Sequence, residues 1–137
     1  RVKTTVTPLR GRRVLLVEDN AINRAIARSF LESAGCEVED AANGAQALDR
    51  LCAHIPEYFD LVLMDLQMPV MDGYETAQRI RAMHDPQLSA IPIVTMTANA
   101  LAQDSARESA CGVSRHLSKP IDFGALHAAL CEVLREK

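Results

Sequence analysis

Two uninterrupted apolar runs, Val14-Leu15-Leu16-Val17 and Leu61-Val62-Leu63-Met64, constrain this chain more than any other feature. A strand with one wet face alternates apolar and polar residues. A run that is apolar at every position suits a strand covered on both faces, as inside a parallel sheet flanked by helices. From Arg13 onward, strand-like and helix-like segments alternate five times, the pattern of parallel β–α–β units joined by right-handed crossovers. Arg1 to about Arg12 carries Thr, Pro, Gly and four basic residues without an apolar period, and reads as a linker. Residues 13–137 then form one α/β domain. Aromatics are only 4% of the chain, so its core is aliphatic.

The connecting segments carry their own punctuation. Asn20 can cap a helix whose stripe is Ile22, Ile26 and Phe30, flanked by Ala25 and Ala34 and stopped by a left-handed Gly35. Cys36 to Ala41 alternates apolar with acidic, which suits an edge strand whose charges discourage further pairing. Asn43 can cap a helix bearing Ala47, Leu48 and Leu51, broken by Pro56. Asp72 and Glu75 resemble a capping box before Tyr74, Ala77 and Ile80, and Asp85-Pro86 ends that helix. Ile91 to Met96 reads as a fourth strand. The helical stretch Asn99 to Ala110 has Leu101 as its one large apolar residue. It is either weakly anchored and able to shift, or an ordinary Ala-rich solvent-facing helix. Val113 to Leu117 reads as a fifth strand. Asp122 starts a last helix with Phe123, Leu126, Leu130, Val133 and Leu134.

In parallel sheets of this kind, ligands bind beyond the C-terminal strand ends. Glu18 and Asp19 follow the first strand, Asp65 follows the third, Thr97 the fourth and Lys119 the fifth. Crowded carboxylates repel unless a positive charge sits among them, and a hard divalent cation answers that need: Mg²⁺, with Mn²⁺ as a substitute. Asp19, Asp65 and the Gln67 carbonyl can hold the metal directly, with Glu18 acting through water. A carboxylate at such a metal can attack phosphorus. Asp65 then serves as the nucleophile, while Lys119 and Thr97 reach two phosphoryl oxygens. Each residue also has a plainer reading. An acidic doublet suits a helix start, Asp65 a turn, Thr97 a buried hydroxyl and Lys119 a surface lysine. The conjunction at four strand ends carries the argument.

The formal net charge of −3 argues against direct nucleic-acid binding. No apolar run reaches the roughly 20 residues that span a bilayer, and no signal peptide is present. Cys36, Cys52, Cys111 and Cys131 form no C-x-x-C pair and read as reduced thiols of a cytoplasmic protein, with a disulfide or redox switch as the alternative. No Gly-rich nucleotide loop is present. The chain starts at Arg1, so we read it as a piece of something longer.

Four stretches together resemble the receiver domain of two-component response regulators over about residues 12–136. They are Val14-Leu15-Leu16-Val17-Glu18-Asp19-Asn20, Leu63-Met64-Asp65 through Met71-Asp72-Gly73, Thr95-Met96-Thr97-Ala98-Asn99-Ala100 and Ser118-Lys119-Pro120. The flavour is most like receivers carried by hybrid sensor histidine kinases. The resemblance implies a flavodoxin-like, doubly wound five-stranded parallel sheet in order 2-1-3-4-5 with helices on both faces. It implies that Asp65 accepts phosphate from a histidine-containing transmitter or phosphotransfer domain. It further implies Mg²⁺ at Glu18, Asp19, Asp65 and the Gln67 carbonyl, a switch at Thr97, a Lys119 contact with phosphate across a cis Lys119-Pro120 bond, and tuning of hydrolysis by Gln67 and Asn99. The resemblance also implies that the partner docks on the first helix around Ile22, Asn23 and Ala25 and on the loop after the fifth strand. The isolated domain is expected to be a monomer, and an enzyme only in promoting its own phosphorylation and dephosphorylation.

One position departs from the family pattern. Where the fifth strand usually carries Tyr or Phe, three residues before the lysine, this chain has His116. It is either an exposed edge-strand histidine or a weaker, different switch element. Two other function classes are weighed. A constitutive pseudo-receiver interaction module keeps the fold without the chemistry, against which the intact acid, hydroxyl and lysine set speaks. A haloacid-dehalogenase-like phosphohydrolase needs D-x-D after the first strand, whereas here the chain reads Glu18-Asp19-Asn20.

Overall fold

The computed structural model describes residues 9–54, 58–66, 71–97, 112–118 and 122–136. The described elements run β1 (Arg13–Val17), α1 (Ala21–Ser33), β2 (Glu37–Ala41), α2 (Gly44–Cys52), β3 (Leu61–Asp65), α3 (Gly73–Arg81), α4 (Pro86–Ser89), β4 (Ile93–Thr97), β5 (Arg115–Ser118) and α5 (Phe123–Glu136). All strand pairs are parallel, and the order is β2-β1-β3-β4-β5. The helix expected over 99–110 and the break at Pro56 lie outside the described residues.

Both apolar runs are covered on two sides, as their composition requires. Side chains alternate across a strand, so Val14, Leu16, Leu61 and Leu63 pack with Ala27 and Leu31 of α1 and Leu126 and Leu130 of α5. Leu15, Val17, Val62 and Met64 face the other way, onto Ala47 and Leu51 of α2 and Tyr74, Ala77 and Ile80 of α3. Leu9, in a stretch without apolar period, is also fully buried in the first of these layers. Gly11 N–H, two residues on, donates to the Gly35 carbonyl at 2.8 Å. Gly35 has φ +96°, and the Cys36 N–H reaches back to the Leu31 carbonyl at 3.0 Å, so the glycine stops α1 in the left-handed conformation.

The α1 stripe is a correction. Ile22 is 71% and Ile26 50% exposed, and the buried residues are Ala27 and Leu31, one position further along. Ala27 and Leu31 pack into the layer of Val14, Leu16, Leu61 and Leu63, which leaves Ile22 and Ile26 outside. Phe30, at the end of that stripe, is half-buried and stacks on Phe123 at 4.7 Å between ring centroids.

The helix after Asp72 also differs from expectation. It ends at Arg81, and Asp85 starts a separate short helix, its carboxylate accepting from the Gln87 N–H at 2.8 Å. Asp before Pro is a start signal, since Pro suits the first helical position where no N–H is needed. Arg81 holds this region together. Its guanidinium donates to the carbonyls of Ser89 at 2.9 Å and Ile91 at 2.7 Å, and to that of Gly112.

At the β2 edge, Arg28 of α1 donates to the Asp40 carboxylate at 2.8 Å and to the Val38 carbonyl at 3.1 Å. The Asp40 and Glu32 carboxylates raise the pKa of that guanidinium further. Among the described cysteines, Cys36 and Cys131 are buried thiols and Cys52 is exposed. Burial, with smaller contributions from Cys131 and Asp60, pushes the Cys36 thiol up to about 11. Cys111 lies outside the described residues. No helix among the described residues is long and apolar enough to cross a membrane.

Candidate functional site

The register of the central strands places two acids side by side. Val17 on β1 lies opposite Met64 on β3, so the next residues, Glu18 and Asp65, emerge at the same level of the sheet. Glu18 is 2% and Asp65 3% exposed, while Asp19, one residue further on the loop, is exposed. One oxygen from each of the three carboxylates lies within 4.8 Å of the other two. At that separation each pair of ionised carboxylates repels by about 3 kcal/mol for an effective dielectric near 20. Three hard oxygen donors converging from two buried side chains and one exposed one match what a divalent cation with oxygen preference takes.

The remaining expected residues divide. Thr97 ends β4 next to β3 and is 3% exposed. The Leu66 N–H, just past Asp65, donates to the Met96 carbonyl at 2.9 Å, which fixes the two strand ends together. Lys119, Gln67 and Asn99 lie outside the described residues. His116 is not an exposed edge residue. It is half-buried on β5 opposite Thr95, with Nδ1 3.2 Å from the Thr95 hydroxyl. Thr95 and Thr97 share one face of β4, so the imidazole sits one residue pair below the threonine at the acid cluster. The Thr95 partner was not legible in the sequence, because strand register decides it.

The loop between β1 and α1 is closely tied. Glu18 N–H donates to the Ala41 carbonyl at 3.0 Å, and its Oε2 accepts from the Asn20 N–H at 3.2 Å. Asn20 Oδ1 accepts from the N–H groups of Ile22 and Asn23, so the expected cap forms. One turn into α1, Arg24 Nη1 donates to the Glu18 carbonyl at 2.8 Å. The sequence alone gave no sign of this contact, since an arginine on a helix is unremarkable. On the opposite wall, Asp72 caps α3 by accepting from the Glu75 N–H at 2.8 Å. The Glu75 carboxylate turns instead to Arg79, at 2.9 Å.

Comparison with known proteins agrees with this arrangement. The response regulator receiver domain family matches residues 14–131. The rice (Oryza sativa subsp. japonica) two-component response regulator ORR41 is 44% identical over 122 residues, covering 88% of this chain and 92% of that protein. The receiver domain of sensor histidine kinase PA1611 from Pseudomonas aeruginosa PAO1, solved with a magnesium ion coordinated in its active site cleft, superposes with TM-score 0.81. Its identity is 34%, over 91% of this chain and 98% of that one. The receiver domain of Ssk1 from Saccharomyces cerevisiae, solved with the histidine phosphotransfer protein Ypd1, has TM-score 0.79 and 31% identity over 90% of this chain and 89% of that one. The chain spans 14% of the length of several probable histidine kinases of rice that it also matches. With its parallel sheet in the order expected, its acids gathered at the C-terminal strand ends and a family match over most of its length, the chain belongs to the response regulator receiver domains of two-component signalling.

Proposed function

We propose that Asp65 accepts a phosphoryl group from a phosphohistidine on a transmitter or phosphotransfer domain, in the cytoplasm and in a magnesium-dependent reaction. The observation that carries this reading is the meeting of the Glu18, Asp19 and Asp65 oxygens within 4.8 Å. One Asp65 oxygen forms the new bond to phosphorus as the P–N bond breaks; the electron pair stays with the donor imidazole. No general base is required, because the carboxylate is already ionised. Asp19, Asp65 and the Gln67 carbonyl would hold Mg²⁺, or Mn²⁺ in its place, with Glu18 assisting through water. When bound, the cation neutralises charge on a phosphoryl oxygen. Thr97 offers its hydroxyl to a second oxygen and Lys119 its ammonium to a third. Gln67 and Asn99 tune how long the acyl phosphate survives. The donor docks on α1, where Ile22 is 71% exposed beside Asn23 and Ala25, and on the loop after β5. The parent protein is a hybrid histidine kinase or a separate response regulator in this reading.

The test is transfer from a phosphorylated phosphotransfer domain, or from acetyl phosphate, with and without EDTA. The expected product is a single hydroxylamine-labile phosphoryl group, formed only with Mg²⁺ or Mn²⁺. Label that resists hydroxylamine, or transfer indifferent to EDTA, refutes the assignment.

His116 belongs to the switch in this proposal. Its ring bonds the Thr95 hydroxyl, an anchor that a phenyl ring lacks and a phenol places further out. His116→Tyr is expected to change the ratio of partner affinities between the phosphorylated and unphosphorylated protein severalfold. An unchanged ratio removes His116 from the switch.

A further inference from the structure

We infer that Arg24 is a positioning residue for the acid cluster: by clamping the Glu18 carbonyl it aims Asp19 at the metal site. This rests on the proposed magnesium-dependent reading.

A carbonyl and the following N–H share one rigid plane. The carbonyl of Glu18 and the N–H of Asp19 form such a unit, so fixing the carbonyl direction constrains the backbone from which the Asp19 side chain projects. Arg24 Nη1 fixes it at 2.8 Å. The other contacts close a frame around Asp19. On one side Glu18 N–H is held by the Ala41 carbonyl at 3.0 Å. On the other, Asn20 N–H donates to Glu18 Oε2 at 3.2 Å. Arg24 stands on a helix whose first turn is secured by Asn20, and its own N–H donates to the Asn20 carbonyl at 2.9 Å. Asp19 is the exposed member of the three acids, without the core packing that immobilises Glu18 and Asp65. It therefore has most to gain from a fixed backbone.

Charge and frame predict opposite signs. A guanidinium near three carboxylates competes with a bound cation, so charge alone makes Arg24→Met bind Mg²⁺ more tightly. A positioning role makes it bind more weakly. Removing partners that orient metal ligands typically lowers affinity 10- to 100-fold, and a backbone contact one step removed should fall near the bottom of that range.

Mg²⁺ alone is the probe, titrated into the chain while amide shifts of residues 18–20 and 65 are followed. Arg24→Met should bind about tenfold more weakly, and Arg24→Lys, which keeps a donor and the charge, should recover most of the loss. Linkage supplies a test that no variant's folding can spoil. If Arg24 strengthens Mg²⁺ binding, Mg²⁺ must tighten the Arg24 contact by the same factor. Exchange with water of the Arg24 Nη1 proton that donates to the Glu18 carbonyl should then slow by about tenfold on saturation in the unsubstituted protein. Equal or tighter Mg²⁺ binding in Arg24→Met, or guanidinium exchange unchanged by Mg²⁺, overturns the inference. Absence of saturable shifts in the unsubstituted protein overturns instead the magnesium reading beneath it.

Discussion

Asp65→Asn is expected to abolish labelling by phosphohistidine donors and by acetyl phosphate while leaving the fold intact. The amide is nearly the shape of the carboxylate, so the buried pocket at the end of β3 loses no volume and gains no void. Its oxygen is uncharged and its nitrogen lone pair is delocalised, so neither atom attacks phosphorus. The neighbouring acids cannot replace it. Glu18 comes from a different strand, with one carboxylate oxygen engaged by the Asn20 N–H. Asp19 lies on the exposed lip. We expect labelling to fall by at least about 10³-fold, the scale seen when a covalent nucleophile is removed from a catalytic set. Asp19→Asn, which weakens metal binding but keeps the nucleophile, should retain slow labelling that added Mg²⁺ partly restores. Phosphate incorporation measured beside the circular dichroism spectrum decides this. Labelling of Asp65→Asn at even a tenth of the normal rate places the acceptor elsewhere.

Gly73→Ala is expected to cost stability, although alanine is the better helix former. A Cβ on Gly73 would stand 2.7 Å from the Leu66 Cα and 2.8 Å from the Asp65 carbonyl oxygen. Both are backbone atoms of the strand end that carries Asp65, and Gly73 N–H itself donates to the Leu66 carbonyl at 2.8 Å. A Cβ on Gly44 would overlap the hydroxyl of the fully buried Thr76 and stand 3.1 Å from Cβ and Cγ of Met71, and turning Thr76 away would give up its 2.8 Å bond to the Asp72 carbonyl. Alanine gains at most about 1 kcal/mol of helix propensity over glycine, whereas overpacking against atoms that cannot move costs about 1–3 kcal/mol or more. The expected balance is a net loss of about 1–2 kcal/mol for Gly73→Ala, with a weaker response to Mg²⁺. Gly44→Ala should lose stability as well, because relieving its clash leaves the buried Thr76 hydroxyl without its Asp72 partner. Urea midpoints at constant slope measure both, and a Gly73→Ala protein as stable as its parent would mean that α3 is not seated on the β3 end.

Much of this was open to reading in the amino acids, for identifiable reasons. The runs at Val14–Val17 and Leu61–Met64 are apolar throughout because the helices that cover them lie on both faces, and that signal needs no knowledge of partners. Asn20, Asn43 and Asp72 work through atoms two or three residues away, so their caps are local. Glu18, Asp19 and Asp65 could be placed together because parallel topology sends every strand end the same way. What failed depends on distant partners. The Ile22–Ile26–Phe30 stripe and the Ala27–Leu31 face both have helical spacing, and only the packing of α1 on the sheet chooses between them. Asp85-Pro86 signals a boundary of either polarity until the next residues are seen to coil. Leu9 lies in a polar, basic stretch, and nothing local marks it as core. The Thr95–His116 and Arg24–Glu18 contacts join residues that no sequence pattern pairs.

Strand order also grades how readily parts of the sheet come apart. β1 and β3 are hydrogen-bonded along both margins, so releasing either one dismantles its neighbours. β5 has a single ladder, to β4, and peeling it away leaves the acid-bearing centre whole. The imidazole of His116 rides on that outer ribbon, while Glu18 and Asp65 are rooted in the interior ones. A receiver built this way can let its outer ribbon move to report an event while Glu18 and Asp65 keep their places.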